Sequence, residues 1–283
     1  MKSIPFCKFH GLANDYIVVE RESVPESRLI GQLAIDICHR HIGAGADGIA
    51  VLEKLDTADA DYNCEIVNPD GSIAGFSGNG TRCAVAYLHE KGLWSDADLH
   101  LKTRSGIKNY HLIRSEDNER WFEAEIGIPR FASEEVPVLT PTRRDHVLNE
   151  RIEIDGRHYV FSAVNVGNPV ACVFVENLEF GWRAVGRAME IHEKFPERVN
   201  AVFVRIVDSE NIEIRIWERG AGETAASGTC SSGAAILSAF MLKTGRKVSV
   251  HSPGGTTEVT WRDDDEIILT GSAMHIYCGE WPL

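Results

Sequence analysis

Ser77-Gly78-Asn79-Gly80-Thr81-Arg82 and, 150 residues further on, Ser227-Gly228-Thr229-Cys230-Ser231-Ser232 decide how this chain is read. Each is a turn of small residues, and each leads into a run whose apolar residues recur at helical spacing, residues 81–91 after the first and 232–243 after the second. A second pair has nearly the same offset. Gly11-Leu12-Ala13-Asn14-Asp15-Tyr16-Ile17-Val18-Val19 corresponds to Val166-Gly167-Asn168-Pro169-Val170-Ala171-Cys172-Val173-Phe174, which puts Asn14 and Asn168 154 residues apart. The chain therefore reads as a diverged internal duplication. The stretch GAAILSAFML at 233–242 is apolar around its whole circumference, so the second helix should be buried on all sides with sheet wrapped around it. Gly92 and Gly245 stand where a glycine would close each helix.

Short alternating or β-branched runs fill much of the remainder. They lie at residues 16–19, 49–52, 62–66, 99–103, 121–126, 171–175, 201–207, 212–216, 248–250, 258–261 and 267–269. Two further segments, 31–39 and 182–192, have helical periodicity. Runs of strands punctuated by a few helices predict an α+β fold rather than a regular βαβ alternation. The duplication predicts a first domain over residues 1–126 and a second over 127–270.

Composition narrows the function classes. Of 283 residues, 29 are Lys or Arg and 42 are Asp or Glu, a net charge of −13 that argues against nucleic acid or polyphosphate as the main partner. The longest apolar run, 233–242, is far short of the ~20 residues that span a bilayer. MKSIPFCKFHG lacks the apolar core and small-residue cleavage site of a secretory signal, and the expected location is the cytoplasm. Seven cysteines, an odd number without a close-packed framework, read as reduced thiols.

A Ser/Gly/Asn-rich turn at a helix start presents backbone N–H groups at the positive end of the helix dipole, which suits a carboxylate or phosphate. The simpler role for Ser77 and Ser227 is that of helix N-caps. Their recurrence at matching positions favours a shared anion site. Around them lie Asn68-Pro69-Asp70-Gly71 and Trp217-Glu218-Arg219-Gly220. Arg219 offers a bidentate grip on a carboxylate. Asn14, Asn68, Asn168 and Asn200 each suit an Asx-turn, and together they form a set of donors and acceptors for an amino acid.

HGLANDYIVVE (10–20), GAGADGIAVLE (43–53), NPDGS (68–72), SGNGTRC (77–83), VGNP (166–169), FPERVN (195–200), WERGAGET (217–224), SGT (227–229) and LTGSAMHIYCGE (269–280) resemble, in order and spacing, the diaminopimelate epimerase family. The resemblance covers nearly the whole chain. It implies two pseudo-symmetric α+β domains, each a β-sheet wrapped around a central helix, with a cofactor-free active site in the cleft between them and a C-terminal strand, about residues 271–283, returning to the first domain. It implies conversion of LL-diaminopimelate to the meso form for lysine and cell-wall synthesis, on a small-molecule amino-acid substrate. No cofactor, metal, nucleic acid or membrane is expected, and a homodimer is compatible with the family. Residue by residue, it places Asn14, Asn68, Asn168, Asn200, Glu218 and Arg219 around the substrate. Gly78 and Asn79, with Gly228 and Thr229, would hold the reacting carboxylate through backbone N–H groups.

One departure matters. The family carries its acid/base cysteines at the positions of Ser77 and Ser227. A thiol supplies a thiolate near neutral pH, whereas a hydroxyl needs an adjacent base before it takes a proton. Four explanations stand side by side: the serines transfer protons with help from Glu218 or Glu223; the chain isomerises another carboxylate; it is a catalytically impaired ligand-binding paralogue; or both cysteines were replaced by engineering. Cys83 and Cys230 are the nearest thiols, and Cys230, at a helix mouth, is the better placed to react. Val170 stands where the family often has His.

Three other signals are set aside. Gly43-Ala44-Gly45-Ala46-Asp47-Gly48 matches a dinucleotide fingerprint literally but follows a helix and precedes a strand, the reverse of that motif's order. Cys38, His39 and His41 lack a fourth metal ligand. His10 reads as a structural hydrogen-bonding residue.

Overall fold

The computed structural model describes residues 3–26, 28–75 and 77–283. It divides into two compact units, residues 1–124 with 270–283, and residues 125–269.

The first unit contains β1 (Ser3–Gly11), β2 (Asn14–Glu20), α1 (Ile30–Cys38), β3 (Gly48–Lys54), β4 (Tyr62–Val67), α2 (Gly78–Glu90), β5 (Asp98–Thr103), β6 (Gly106–Glu116) and most of β7 (Glu119–Gly127). The second contains β8 (Val147–Ile154), β9 (Arg157–Asn165), β10 (Pro169–Phe174), α3 (Trp182–Glu190), β11 (Asn200–Ile206), β12 (Asn211–Glu218), β13 (Gly222–Thr224), α4 (Gly228–Phe240), β14 (Lys247–Ser252) and β15 (Gly255–Trp261). The final strand, β16 (Ile267–Pro282), starts in the second unit and runs on into the first.

Pairing geometry bears out the duplication. In the first unit β1–β2 is antiparallel, β2–β3 parallel, β3–β4 antiparallel, β4–β5 parallel and β5–β6 antiparallel. In the second the same series runs β9–β10, β10–β11, β11–β12, β12–β14 and β14–β15. Each parallel pair needs a crossover, and α-helices supply them: α1 and α3 join the first parallel pair of each unit, α2 and α4 the second.

In the first unit the strand order is β1-β2-β3-β4-β5-β6-β7-β16, and β16 pairs back onto β1, so the sheet closes on itself. Helix α2 packs on β1, β2, β3 and β4, and residues 79–88 are all buried. Helix α4 packs on β9, β10, β11, β12, β14 and β15, and residues 229–239 are all buried. That is the wrapped helix its apolar circumference requires. No helix among the described residues is long and apolar enough to cross a membrane.

Local differences from the sequence reading have physical causes. Both central helices begin a turn earlier than their apolar spacing indicates, at Gly78 and Gly228. Enclosure in sheet overrides the low helix propensity of the Gly- and Ser-rich first turns. Gly92 closes α2 with φ +66°, as expected. Helix α4 instead turns at Leu242, φ +55°, and Gly245 donates its N–H to the Ser209 carbonyl at 2.8 Å. The expectation of wholly reduced thiols is also corrected. Cys7 and Cys278 pair across β1 and β16 as a disulfide joining residues 271 apart, while Cys38, Cys64, Cys83, Cys172 and Cys230 are free and buried. The sheet register, not sequence proximity, brings that pair together.

Candidate active site

In the first unit, Ser77 immediately precedes α2. Its Oγ accepts the Gly80 N–H at 3.1 Å and lies 2.9 Å from the Tyr16 hydroxyl. The capping role is therefore filled. Gly80 fits because a Cβ there would lie 2.9 Å from both Ile66 and Tyr16. Asn14, at the head of β2, is fixed from two sides: its Nδ2 donates to Asp47 at 2.8 Å, and its Oδ1 accepts from Asn79 Nδ2 at 3.2 Å. Buried Arg82 in turn donates to the Asn79 Oδ1.

Beneath Asn14 lies a charge cluster. Asp15 accepts from Arg40 at 2.8 Å and pairs with Lys8 at 2.8 Å, and Arg40 also pairs with Asp47 at 2.6 Å. Burial alone would raise the Asp15 pKa, but hydrogen bonds from Arg40 and Lys8 hold it far below the usual carboxylate range. Asn68 is engaged within its own turn, donating to Ser72 Oγ at 3.0 Å. Asn14 and Asn79 thus meet directly, Ser77 lies one residue from Gly78 at the same helix start, and Asn68 makes no hydrogen bond to them among the described residues.

In the second unit the expected residues converge more closely. Ser227, at the head of α4, makes no side-chain cap bond. Its Oγ donates to Glu218 Oε2 at 3.1 Å, and Thr224 donates to Glu218 Oε1 at 2.7 Å. Burial pushes the Glu218 carboxyl pKa up, against the pull of those two hydrogen bonds. Asn200 is buried, donates to the Pro169 carbonyl at 2.9 Å and accepts the Arg219 N–H at 2.9 Å. The Arg219 guanidinium reaches Asn168 Oδ1 at 3.4 Å and the Glu197 carbonyl at 3.0 Å. Hairpin β12–β13 makes this possible by bringing Glu218 opposite Gly222, within reach of the head of α4.

Gly78 and Asn79 head α2, and Gly228 and Thr229 head α4. A helix's first N–H groups have no partner within the helix, so both starts offer donors to a carboxylate.

Other candidates drop out. Glu223 is held by Arg183 through two bonds, 2.6 and 2.7 Å, on the surface, and does not reach Ser227 in the hydrogen-bond pattern. Burial pushes the Cys83 thiol up to about 12 and raises Cys230 well above its ordinary value, so neither supplies a thiolate near neutral pH. Cys38 is likewise raised to about 12 by burial. Val170 is fully buried against Gly233 of α4, so it belongs to the core. Sequence reasoning missed Asp47 and Tyr16. Both lie inside motifs already quoted, and the only sign of their roles is a polar atom facing a candidate residue in three dimensions.

The family model for diaminopimelate epimerase matches residues 6–131 and 162–276. The chain is 37% identical over 280 residues to the diaminopimelate epimerase of Pelotomaculum thermopropionicum, covering 98% of each chain. It is 37% identical to that of Caldanaerobacter subterraneus, covering 97% of this chain and 98% of the relative. In fold it is similar to a hydroxyproline epimerase from Agrobacterium vitis solved with trans-4-hydroxy-L-proline bound, with a TM-score of 0.69, 15% identity and coverage of 99% and 91%. A family model that matches most of the chain and relatives 37% identical over nearly their full length lead to one assignment: the chain belongs to the diaminopimelate epimerase family of isomerases.

Proposed function

We propose that this chain is a cofactor-independent amino-acid epimerase that interconverts LL- and meso-diaminopimelate in lysine biosynthesis, with Ser77 and Ser227 in the two proton-transfer roles. The observation that carries the reading is the Ser227–Glu218 hydrogen bond, 3.1 Å from hydroxyl to a carboxyl of raised pKa. A serine hydroxyl is a poor base alone and a competent one when a neighbouring group takes its proton. As Ser227 Oγ accepts the α-proton its own proton passes to Glu218, leaving a neutral hydroxyl and a carboxylic acid; inversion then needs Ser77 to give its hydroxyl proton to the opposite face of the α-carbon and to regain one from water through the Tyr16 hydroxyl, 2.9 Å away. A carboxyl poised nearer neutrality suits both directions. Asn168, Asn200 and Arg219 are assigned to the substrate's distal amino-acid end, and the first N–H groups of α2 and α4 to the reacting carboxylate, where negative charge grows as the α-proton leaves.

Among the described residues Ser77 has no carboxyl partner of this kind; its hydroxyl caps Gly80 and meets Tyr16. This asymmetry favours a second reading, proton movement on one face only, as in isomerisation of another carboxylate.

Proton NMR of LL-diaminopimelate in D2O separates the readings. Epimerisation gives loss of the α-proton signal together with meso product, abolished in S77A/S227A and slowed about 10²–10⁴-fold in E218Q. Exchange with retained configuration supports one-face chemistry. An unchanged spectrum, with a melting temperature that the ligand still raises, leaves binding alone.

A further inference from the structure

Where the first and last strands meet, β1 and β16 pair in antiparallel register, and Cys7 lies directly opposite Cys278. The register shifts between Lys8, opposite Tyr277, and Phe9, opposite His275, so Ile276 is an extra residue in β16. In a regular strand residues three apart point to opposite faces; the bulge brings His275 to the face that carries Cys278. The His275 ring lies against Phe9, 4.9 Å between centroids, and its Nε2 stands 3.4 Å from Cys278 Sγ. Its other nitrogen, Nδ1, is 3.0 Å from Glu90 Oε1. A carboxylate accepts only, so His275 donates Nδ1–H to Glu90 and leaves the Nε2 lone pair facing the sulfur.

Two sulfurs and an imidazole whose far nitrogen is held by a carboxylate form the ligand set of a thiolate–imidazole zinc centre. The ligand atoms of Cys7, His275 and Cys278 all lie within 4.8 Å of one another. Zinc bond lengths of about 2.3 Å to sulfur and 2.0–2.1 Å to nitrogen at a tetrahedral angle separate the two ligand atoms by about 3.5 Å. The observed 3.4 Å matches that spacing. Two sulfurs on one zinc stand about 3.8 Å apart by the same geometry, which a covalent S–S bond forbids.

We propose that Cys7, Cys278 and His275 form a redox-gated site for a thiophilic divalent cation of the zinc class, open only when the Cys7–Cys278 disulfide is reduced. A dithiol reductant supplies two electrons and two protons to the S–S bond and leaves as its own cyclic disulfide. Metal binding then releases the two thiol protons, and water fills the fourth position. Disulfide and metal are thus alternative ties between the same two strands. Cys278 and Lys91 are exposed, so reductant and ion have access from solvent. Lys91 Nζ, 3.8 Å from Cys278 Sγ, favours the thiolate a metal requires and is free to swing aside once the ion neutralises it.

The test titrates Zn²⁺ into full-length chain, oxidised or reduced with a phosphine and desalted without oxygen, against a chromophoric chelator. One ion per reduced chain is expected, and none at this site in the oxidised chain. C278S should abolish binding, and H275Q and E90Q should each weaken it about 10–100-fold. Co²⁺ should give a thiolate-to-cobalt absorption in the reduced chain that C278S removes, and Zn²⁺ should raise the melting temperature of reduced protein only. Absence of stoichiometric zinc in the reduced chain overturns the proposal, as does binding indifferent to both C278S and H275Q. H275Q keeps both thiols, so loss through misfolding in a cysteine variant does not stand in for loss of a ligand.

Discussion

Ser77 and Ser227 occupy corresponding places at the heads of two buried helices, yet their hydroxyls are engaged differently. One caps its helix and faces a tyrosine; the other donates to a carboxyl. Glu218 carries a thermodynamic signature of this arrangement. Its folded pKa is raised above the ordinary 4.5, so the folded state binds the proton more tightly than the unfolded one. The sign follows: below 4.5 both states are protonated and the group contributes nothing, and as pH rises from there to the folded pKa the unfolded state ionises while the folded one keeps its proton, so the fold loses stability until the folded pKa is passed. E218Q should remove that decline, and melting temperatures of the two proteins between about pH 4 and 8 should diverge in the variant's favour as pH rises. Parallel curves would show that Glu218 titrates normally and would weaken its assigned role. The members of the second-unit cluster could all be named from sequence because family motifs mark them. Their bonding could not, because a hydroxyl's choice between a backbone N–H and a carboxylate depends on how β12 and β13 fold back on α4.

At the scale of elements, the fit of α4 inside its sheet rests on missing side-chain volume. A Cβ on Gly233 would stand 2.8 Å from Val170 Cβ, closer than such atoms approach. G233A should gain about 1 kcal/mol of helix propensity and lose more to overpacking, for a net cost of about 1–2 kcal/mol in denaturant unfolding. Combining it with V170A should recover part of that loss; additive costs would show that the two residues do not press on each other. Helix α4 was legible in sequence because apolar residues on every side have only one solution, enclosure, and α2 was legible from helical spacing after its glycine-rich turn. Strands β2, β3, β4, β5, β7, β10, β11, β12, β14 and β15 were legible from alternation or β-branching. Strands β1, β6, β8 and β9 were not. Most of β6 is exposed and polar, so burial leaves no period in its sequence. In β8, Asn149 at φ +54° breaks the alternation where the register with β9 shifts. The far half of β16 is largely exposed and is ordered by pairing with β1 rather than by an apolar face.

At the scale of the whole molecule, the two units differ in what they need from the chain. Residues 125–269 are contiguous, whereas the other unit requires residues 270–283 to complete its ring of strands. A fragment of residues 125–269 should therefore unfold cooperatively in urea, while a fragment of residues 1–124, with two open sheet edges, should not. A cooperative transition from the second fragment would mean that β16 is an ornament on a sheet stable without it.

The closing strand also sets a timetable. β1 is synthesised before every other described strand, and its partner β16 after all of them. At 5–20 residues per second, β1 waits roughly 15 to 55 s for that partner. The usual order of biosynthesis is thereby inverted: the downstream unit can be finished while the upstream one still presents a raw strand edge. During that interval the open edge is a template on which another polypeptide can pair.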